Sequence, residues 1–466
     1  MTTGAKLRNA FSISMLLLIS LSVLLLPVSS AGQTSSINHR KISAIGTSSS
    51  STSNSTYAVI FDAGSSGSRV HVFHFDQNLD LLFISSEIEV FSQIKPGLSS
   101  YADDPQKAKA ADSLIPLLEK AKNTVPQKLQ SVTPVHLGAT AGLRFLEGDK
   151  SERILEAVRV LLKTKSGFKY EKDSVSILDG NQEGSYQWLT INYLLENLGK
   201  RYSKTVGVID LGGGSVQMAY AISDEDAAKA PIASDGNTKF VQNYHLKGSN
   251  YNLYVHSYLR YSLQAGRVEI LKVTKELGNP CILAGYKGTY AYGGEEYKVS
   301  SPWSGSSFAR CRKVILEALK INKSCGYNEC TFDGIWSGGG GAGVNNLYVA
   351  SFFFDKAAQA GFIDSNKPDA IVKPFDFKRV VRIACQTNFV DAKAKYTNVY
   401  SSDLQFACLD LVYEYALLVD GFGIDSRKKI TLVKQVAYHG PLVEAAWPLG
   451  NAVTIISSSK YSTENY

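Results

Sequence analysis

A chain of 466 residues is about three times a common domain length, so two domains with substantial cores are expected. Hydrophobic residues make up 44%, charged ones 20% and aromatics 11%, which excludes disorder as the main state. The net charge of +7, from 49 basic against 42 acidic residues, comes without a Lys/Arg run long enough to form a nucleic-acid arm, so no nucleic-acid partner is expected.

Residues 1–31 read as a secretory signal: a basic start (Lys6, Arg8), a Leu-rich apolar stretch from Phe11 to Val28, and small residues at Ser29, Ser30 and Ala31. The stretch is also long enough for an uncleaved signal anchor, so two readings stand, with cleavage favoured. A secreted, extracellular protein is expected; the alternative is a Golgi lumenal or membrane protein held by its N-terminus. Residues 32–56 are Ser/Thr-rich and read as a linker.

Tyr57-Ala-Val-Ile-Phe-Asp62 is a short apolar run ending in a Gly/Ser turn, and Arg69 to Phe75 is a second run, together giving strand, turn, strand. His71 and His74 are expected to pack within that strand pair. Pro134 to Gly138 and Val175 to Leu178 read as strands, and Ser151 to Lys163 as a helix with Ile154, Val158 and Leu161 inward. The alternation places the chain in the α/β class. Trp188, Ile191, Leu195 and Leu198 recur at three- and four-residue steps, so a helix is expected from Ser185 to a stop at Gly199, with Glu183 at its start.

An internal echo follows. Val59 to Ser68 and Gly207 to Ser215 both read as an apolar strand, an Asp near its end and a Gly/Ser turn, with Asp62 and Asp210 separated by 148 residues. Two such loops suggest similar halves facing each other across a ligand cleft. A tight turn rich in glycine frees backbone N–H groups, and serine hydroxyls add donors, so phosphate is the natural occupant. Asp62 and Asp210 would repel bare phosphate, which points to a divalent cation with its waters between them. Turn capping by these side chains is the competing reading. Glu183 is then a base for water. The positive helix end favours its ionised form by about 0.3 to 1 kcal/mol, well under one pKa unit.

The six cysteines, Cys281, Cys311, Cys325, Cys330, Cys385 and Cys408, lie in the second half without zinc-type CxxC spacing. They permit 15 pairings. Sequential pairing closes the shortest loops: Cys281 with Cys311, Cys325 with Cys330, and Cys385 with Cys408. Asn54 and Asn322 have glycosylation spacing. No GxxxxGK[ST], HExxH or GxSxG motif is present, so P-loop, zinc and acyl-transfer chemistry lack their parts. Gly338 to Gly341 reads as a surface loop, and most rings of Tyr348 to Phe354 as core.

Together these segments resemble the apyrase family of nucleoside triphosphate diphosphohydrolases, most closely its plant, especially legume, members, over roughly residues 57–450. Five motifs carry the resemblance: Asp62-Ala-Gly-Ser-Ser-Gly-Ser-Arg69, Gly138-Ala-Thr140-Ala-Gly-Leu-Arg144, Gly180-Asn-Gln-Glu183-Gly184, Asp210-Leu-Gly-Gly-Gly-Ser215-Val-Gln217 and Ala446-Trp447-Pro-Leu-Gly450. The resemblance implies two actin-like, ribonuclease-H-like lobes, the first spanning 57–179 plus 434–466 and the second, with the three disulfides, 180–433. ATP, ADP and other nucleotides would bind in the cleft with Ca2+ or Mg2+ and lose terminal phosphates down to the monophosphate.

By the same resemblance Glu183 is the catalytic base, helped by Ser215, Gln217 and Thr140. Ser65, Ser66, Gly67, Ser68, Gly212, Gly213 and Gly214 bind phosphate, Asp62 and Asp210 hold the metal through water, and Phe353 stacks on the base. Pro448 and Asn451 depart from the pattern common in relatives, so base and diphosphate preference do not transfer. The alternative reading is a secreted carbohydrate-binding or receptor-like protein that retains the nucleotide cleft and takes a glycan ligand.

Overall fold

β-branched and aromatic runs such as Val59-Ile60-Phe61 are buried on both faces and form central strands. The computed structural model describes residues 55–102, 108–232, 239–274 and 278–463. The signal segment, most of the Ser/Thr-rich linker and Asn54 lie outside the described residues. Asn322 is exposed.

The first sheet contains β1 (Thr56–Ala63), β2 (Ser68–Phe75), β3 (Val90–Ile94), β4 (Val135–Ala139) and β5 (Val175–Ile177). Its order is β3-β2-β1-β4-β5; β1 runs antiparallel to β2 and parallel to β4. The second contains β6 (Gly207–Leu211), β7 (Ser215–Ile222), β8 (Val241–Leu246) and β9 (Ser249–Leu259). A separate hairpin pairs β10 (Lys287–Tyr292) with β11 (Glu295–Ser300). The second sheet is completed by β12 (Leu347–Ser351), β13 (Asp369–Val372) and β14 (Ile430–Val433), in the order β13-β14-β12-β6-β7-β9-β8.

Within that sheet, β9-β7-β6-β12-β14 repeats the order and strand directions of β3-β2-β1-β4-β5. The sequence echo is therefore a duplicated sheet: β1 and β6 occupy the same place, and Asp62 and Asp210 each stand one residue before the strand end. This is the doubling expected of two actin-like lobes.

Two helices connect the sheets. Gly180–Leu194 packs on β7 and β9, Trp447–Thr463 packs on β1, and the two helices pack on each other. A single apolar cluster holds Ile60 and Phe73 of the first sheet, Trp188 and Ile191, Ala219 and Val255 of the second sheet, and Trp447 and Leu449. Close approach explains the last motif. A Cβ on Gly450 would sit 2.2 Å from Tyr186 O, and one on Gly138 2.6 Å from the Trp447 ring. Gly450 N donates to Thr190 Oγ1 at 2.8 Å, fixing the crossing.

The helix after Glu183 begins earlier and ends earlier than its periodicity implies. It runs Gly180–Leu194, with Glu196 at φ 54 beyond it, while Leu198 keeps its place in the core without being helical. The expected Ser151 to Lys163 helix is Lys150–Leu161, with Ile154, Val158 and Leu161 buried as expected. His71 is buried on β2 with Nδ1 2.7 Å from Glu89 Oε1, and His74 stacks on Tyr57 at 4.1 Å. The three disulfides pair Cys281 with Cys311, Cys325 with Cys330 and Cys385 with Cys408, all in the second half of the chain.

Candidate active site between two glycine turns

The β1–β2 turn, Gly64 to Gly67, and the β6–β7 turn, Gly212 to Gly214, meet directly. A Cβ on Gly213 would stand 2.4 Å from Ser65 Oγ, and one on Gly142 2.8 Å from Ser65 Cα. A Cβ on Gly214 would lie 2.5 Å from that of Ala141. Glycine at 214 lets the second turn reach the Ala141–Arg144 helical turn, and glycine at 213 leaves room for the Ser65 hydroxyl of the first. Among the described residues, the backbone N–H groups of Ser65, Ser66, Gly213 and Gly214 donate to no backbone carbonyl. Such groups around one point make an anion cradle. Ser68 Oγ is buried without a hydrogen-bond partner. Gly212 N is instead occupied by Ser215 O at 3.0 Å.

Asp179 caps the Gly180–Leu194 helix by accepting from Asn181 N at 3.1 Å, and Gln182 returns the bond to Asp179 N at 3.2 Å. That box fixes the first turn and brings Glu183 to the turns. The Glu183 carboxylate is ion-paired with Arg144 and accepts from Gln217 Nε2 at 3.3 Å. Gln217 Nε2 also reaches Ser215 Oγ at 2.6 Å and Ser257 Oγ at 3.1 Å. Thr140 is buried where β4 runs into the Ala141–Arg144 turn, its N–H bonded to Ala63 O at 3.2 Å. No side-chain hydrogen bond links it to Glu183 among the described residues.

Burial raises the Glu183 carboxyl to about 7; the Arg144 charge opposes that rise, and Asp210 and Asp62 add to it. The small helix-end effect expected from sequence is therefore overruled by desolvation. Asp210 is pushed up to about 6, chiefly by burial, against a hydrogen bond from Ser351 and with a further push from Asp62. Asp62 and Asp210 thus lie near enough to Glu183 for their charges to disfavour its ionised form. Asp62 Oδ2 accepts from Arg69 Nη1 at 3.0 Å, while Asp62 Oδ1 is buried with no hydrogen-bond partner. An unsatisfied, buried, hard oxygen donor beside a second carboxylate fits a hydrated divalent cation such as Ca2+ or Mg2+.

Phe353 is a correction. It is fully buried, its ring set edge-on to Phe377 with centroids 6.4 Å apart, and it offers no face to a base. The Phe352–Gln359 helix starts one residue earlier and turns Phe353, Phe354 and Ala357 into the core of the second sheet. Arg69, Arg144, Ser257 and Ser351 join the site without having been assigned a role by the motifs. The first two end motifs already singled out, so their position was the available signal. Ser257 and Ser351 carry no local signal, because only strand pairing brings them in.

The model of the GDA1/CD39 (nucleoside phosphatase) family matches residues 48–464. The chain is 54% identical to the nucleoside-triphosphatase of Pisum sativum over 87% of this chain and 89% of that protein. It is 55% identical to the apyrase of Solanum tuberosum, covering 86% and 88%, and 55% identical to apyrase 1 of Arabidopsis thaliana, covering 86% and 85%. Among solved structures, a nucleoside triphosphate hydrolase of Neospora caninum shares the fold, with a TM-score of 0.56 at 13% identity over 86% of this chain and 92% of that one.

Proposed function

The chain belongs to the GDA1/CD39 nucleoside phosphatase family, and on that premise we propose that it is an apyrase converting nucleoside tri- and diphosphates to the monophosphate. The observation that carries this reading is the contact of the two glycine turns, with Glu183 tied to the Ala141–Arg144 turn beside them through Arg144 and to the second sheet through Gln217. The turns' N–H groups and the hydroxyls of Ser65, Ser66 and Ser68 hold the terminal phosphate, with the backbone of Gly67, Gly212, Gly213 and Gly214 shaping the approach.

Glu183 takes a proton from water as its oxygen attacks the terminal phosphorus. The bridging P–O bond breaks and the nucleotide departs with one phosphate fewer. A carboxyl near 7 is matched to that task at neutral pH. Gln217 and Ser215 orient the water beside Glu183 Oε2, and Arg144 keeps the carboxylate ionised and aimed. Thr140 supports the Ala141–Arg144 turn that carries Arg144. Asp62 and Asp210 would hold a divalent cation through its waters. When bound, that ion neutralises phosphate charge and polarises its oxygens.

The two sheets support a first lobe at 57–179 plus 434–466 and a second at 180–433. Three disulfides support an oxidising, extracellular or lumenal setting. Among the described residues no helix is long and apolar enough to cross a membrane. Phosphate release from ATP, ADP and AMP, with and without chelator, tests the reading. Release from ATP and ADP, none from AMP, and loss on chelation are expected; release from AMP, or none from any nucleotide with added cation, overturns it.

A further inference from the structure

Ser351 breaks two local rules at once. It is the N-cap residue of the Phe352–Gln359 helix, yet its side chain makes no cap hydrogen bond, although serine is among the favoured N-caps because it satisfies a free N–H. Its backbone sits at φ 62, ψ −124, where a Cβ is disfavoured and glycine is the usual occupant, whereas an N-cap ordinarily keeps extended dihedrals. Both departures serve one contact: Ser351 Oγ donates to Asp210 Oδ1 at 2.5 Å.

The placement follows from the sheet. β12 lies parallel beside β6, with Ala350 opposite Asp210 and Ser351 opposite Leu211, so the strained residue is the first beyond Asp210 that can reach across. Among the described residues this is the one side-chain hydrogen bond to Asp210. The duplicated position in the first sheet differs: Asp62 is held by the Arg69 guanidinium across the β1–β2 pair, and Ala139 stands where Ser351 does in the second. The first carboxylate is fixed by a charge and the second by a neutral hydroxyl. A neutral tether orients Asp210 without cancelling the charge needed by a cation.

We infer that Ser351 is a positioning residue that orients Asp210 for the divalent cation. The inference rests on the cation role proposed above for Asp210. It is tested by titrating Ca2+ and Mg2+ calorimetrically into nucleotide-free, full-length protein and by following the melting temperature with and without the cations. Ser351→Ala, Ser351→Gly and Asp210→Asn are compared with the natural chain. Ser351→Ala and Ser351→Gly each weaken cation affinity about tenfold or more. Ser351→Gly also relieves the backbone, so in chelator it melts no lower than the natural protein while still binding cation weakly, a combination that a merely structural role does not produce. Ser351 variants within about twofold of natural affinity, alongside a weakened Asp210→Asn, overturn the inference and leave the cation role standing. Asp210→Asn with natural affinity overturns the cation role itself and the inference with it.

Discussion

Arg144 of the Ala141–Arg144 turn and Glu183 of the Gly180–Leu194 helix form an ion pair that crosses from the end of β4 to the helix packed on the second sheet. The pair is largely buried, with the side chains 14% and 12% exposed. It places a positive charge on a carboxyl that burial otherwise drives toward the neutral form.

The pair sets the pH dependence. With Glu183 near 7, the ionised base is lost as pH falls through that value, so kcat/KM has an acid limb near pH 7. Arg144→Gln removes the charge favouring the carboxylate, so the pKa rises further. The limb is expected to move to higher pH by about one unit or more. An unchanged limb in pH–rate profiles contradicts the pairing.

The meeting of the two turns predicts a steric effect. Gly213→Ala puts a methyl group where Ser65 Oγ stands 2.4 Å away. The Ser65 hydroxyl must leave the place where it meets the phosphate, so kcat/KM for ATP is expected to fall at least about tenfold, because misplacing reactive groups by about 1 Å can cost 10²-fold. The melting temperature should change little, since what the methyl group displaces is a side-chain hydroxyl. Measuring both quantities on one preparation separates displacement from unfolding.

Phe353 provides the opposite case. Because its ring fills the core against Phe377, Phe353→Ala is expected to cost about 3–5 kcal/mol of stability. The relative rates with ATP, GTP, UTP and CTP should stay as in the natural chain. Denaturant melts and a nucleotide panel check the two halves of that statement.

The disulfides should act on the second lobe alone. The Cys281–Cys311 and Cys385–Cys408 bridges close 30- and 23-residue separations, so replacing either pair by serine is expected to cost about 3–4 kcal/mol in the chain-entropy account. Hydrogen exchange should quicken in β6, β7 and β9 before it does in β1 and β2. Equal quickening in both sheets contradicts the separation.

What could be read before the fold was known depended on range. β1 and its turn were visible because an apolar run followed by Gly and Ser has few other uses, and its repeat before Gly212 exposed the duplication. Sequential cysteine pairing agrees with the structure, since the short loops also bring partners together in space. The sequence understates the Glu183 shift because a helix-end effect is local, whereas the burial that dominates it depends on tertiary packing. Phe353 does not stack on a nucleobase: a run of three aromatics does not say which ring faces in, and the helix start at Phe352 decides that. Ser351 was invisible, since its partner lies 141 residues away and its backbone conformation has no sequence signature for a serine.

The central claim, that Glu183 takes the proton from water attacking a phosphate held between the two turns, is tested most directly by Glu183→Gln. Binding of a non-hydrolysable ATP analogue and single-turnover phosphate release from ATP are measured on the same protein with cation present. Binding within about threefold of the natural chain, with release slowed by about 10²-fold or more, is the predicted result. Release that stays within about tenfold contradicts it.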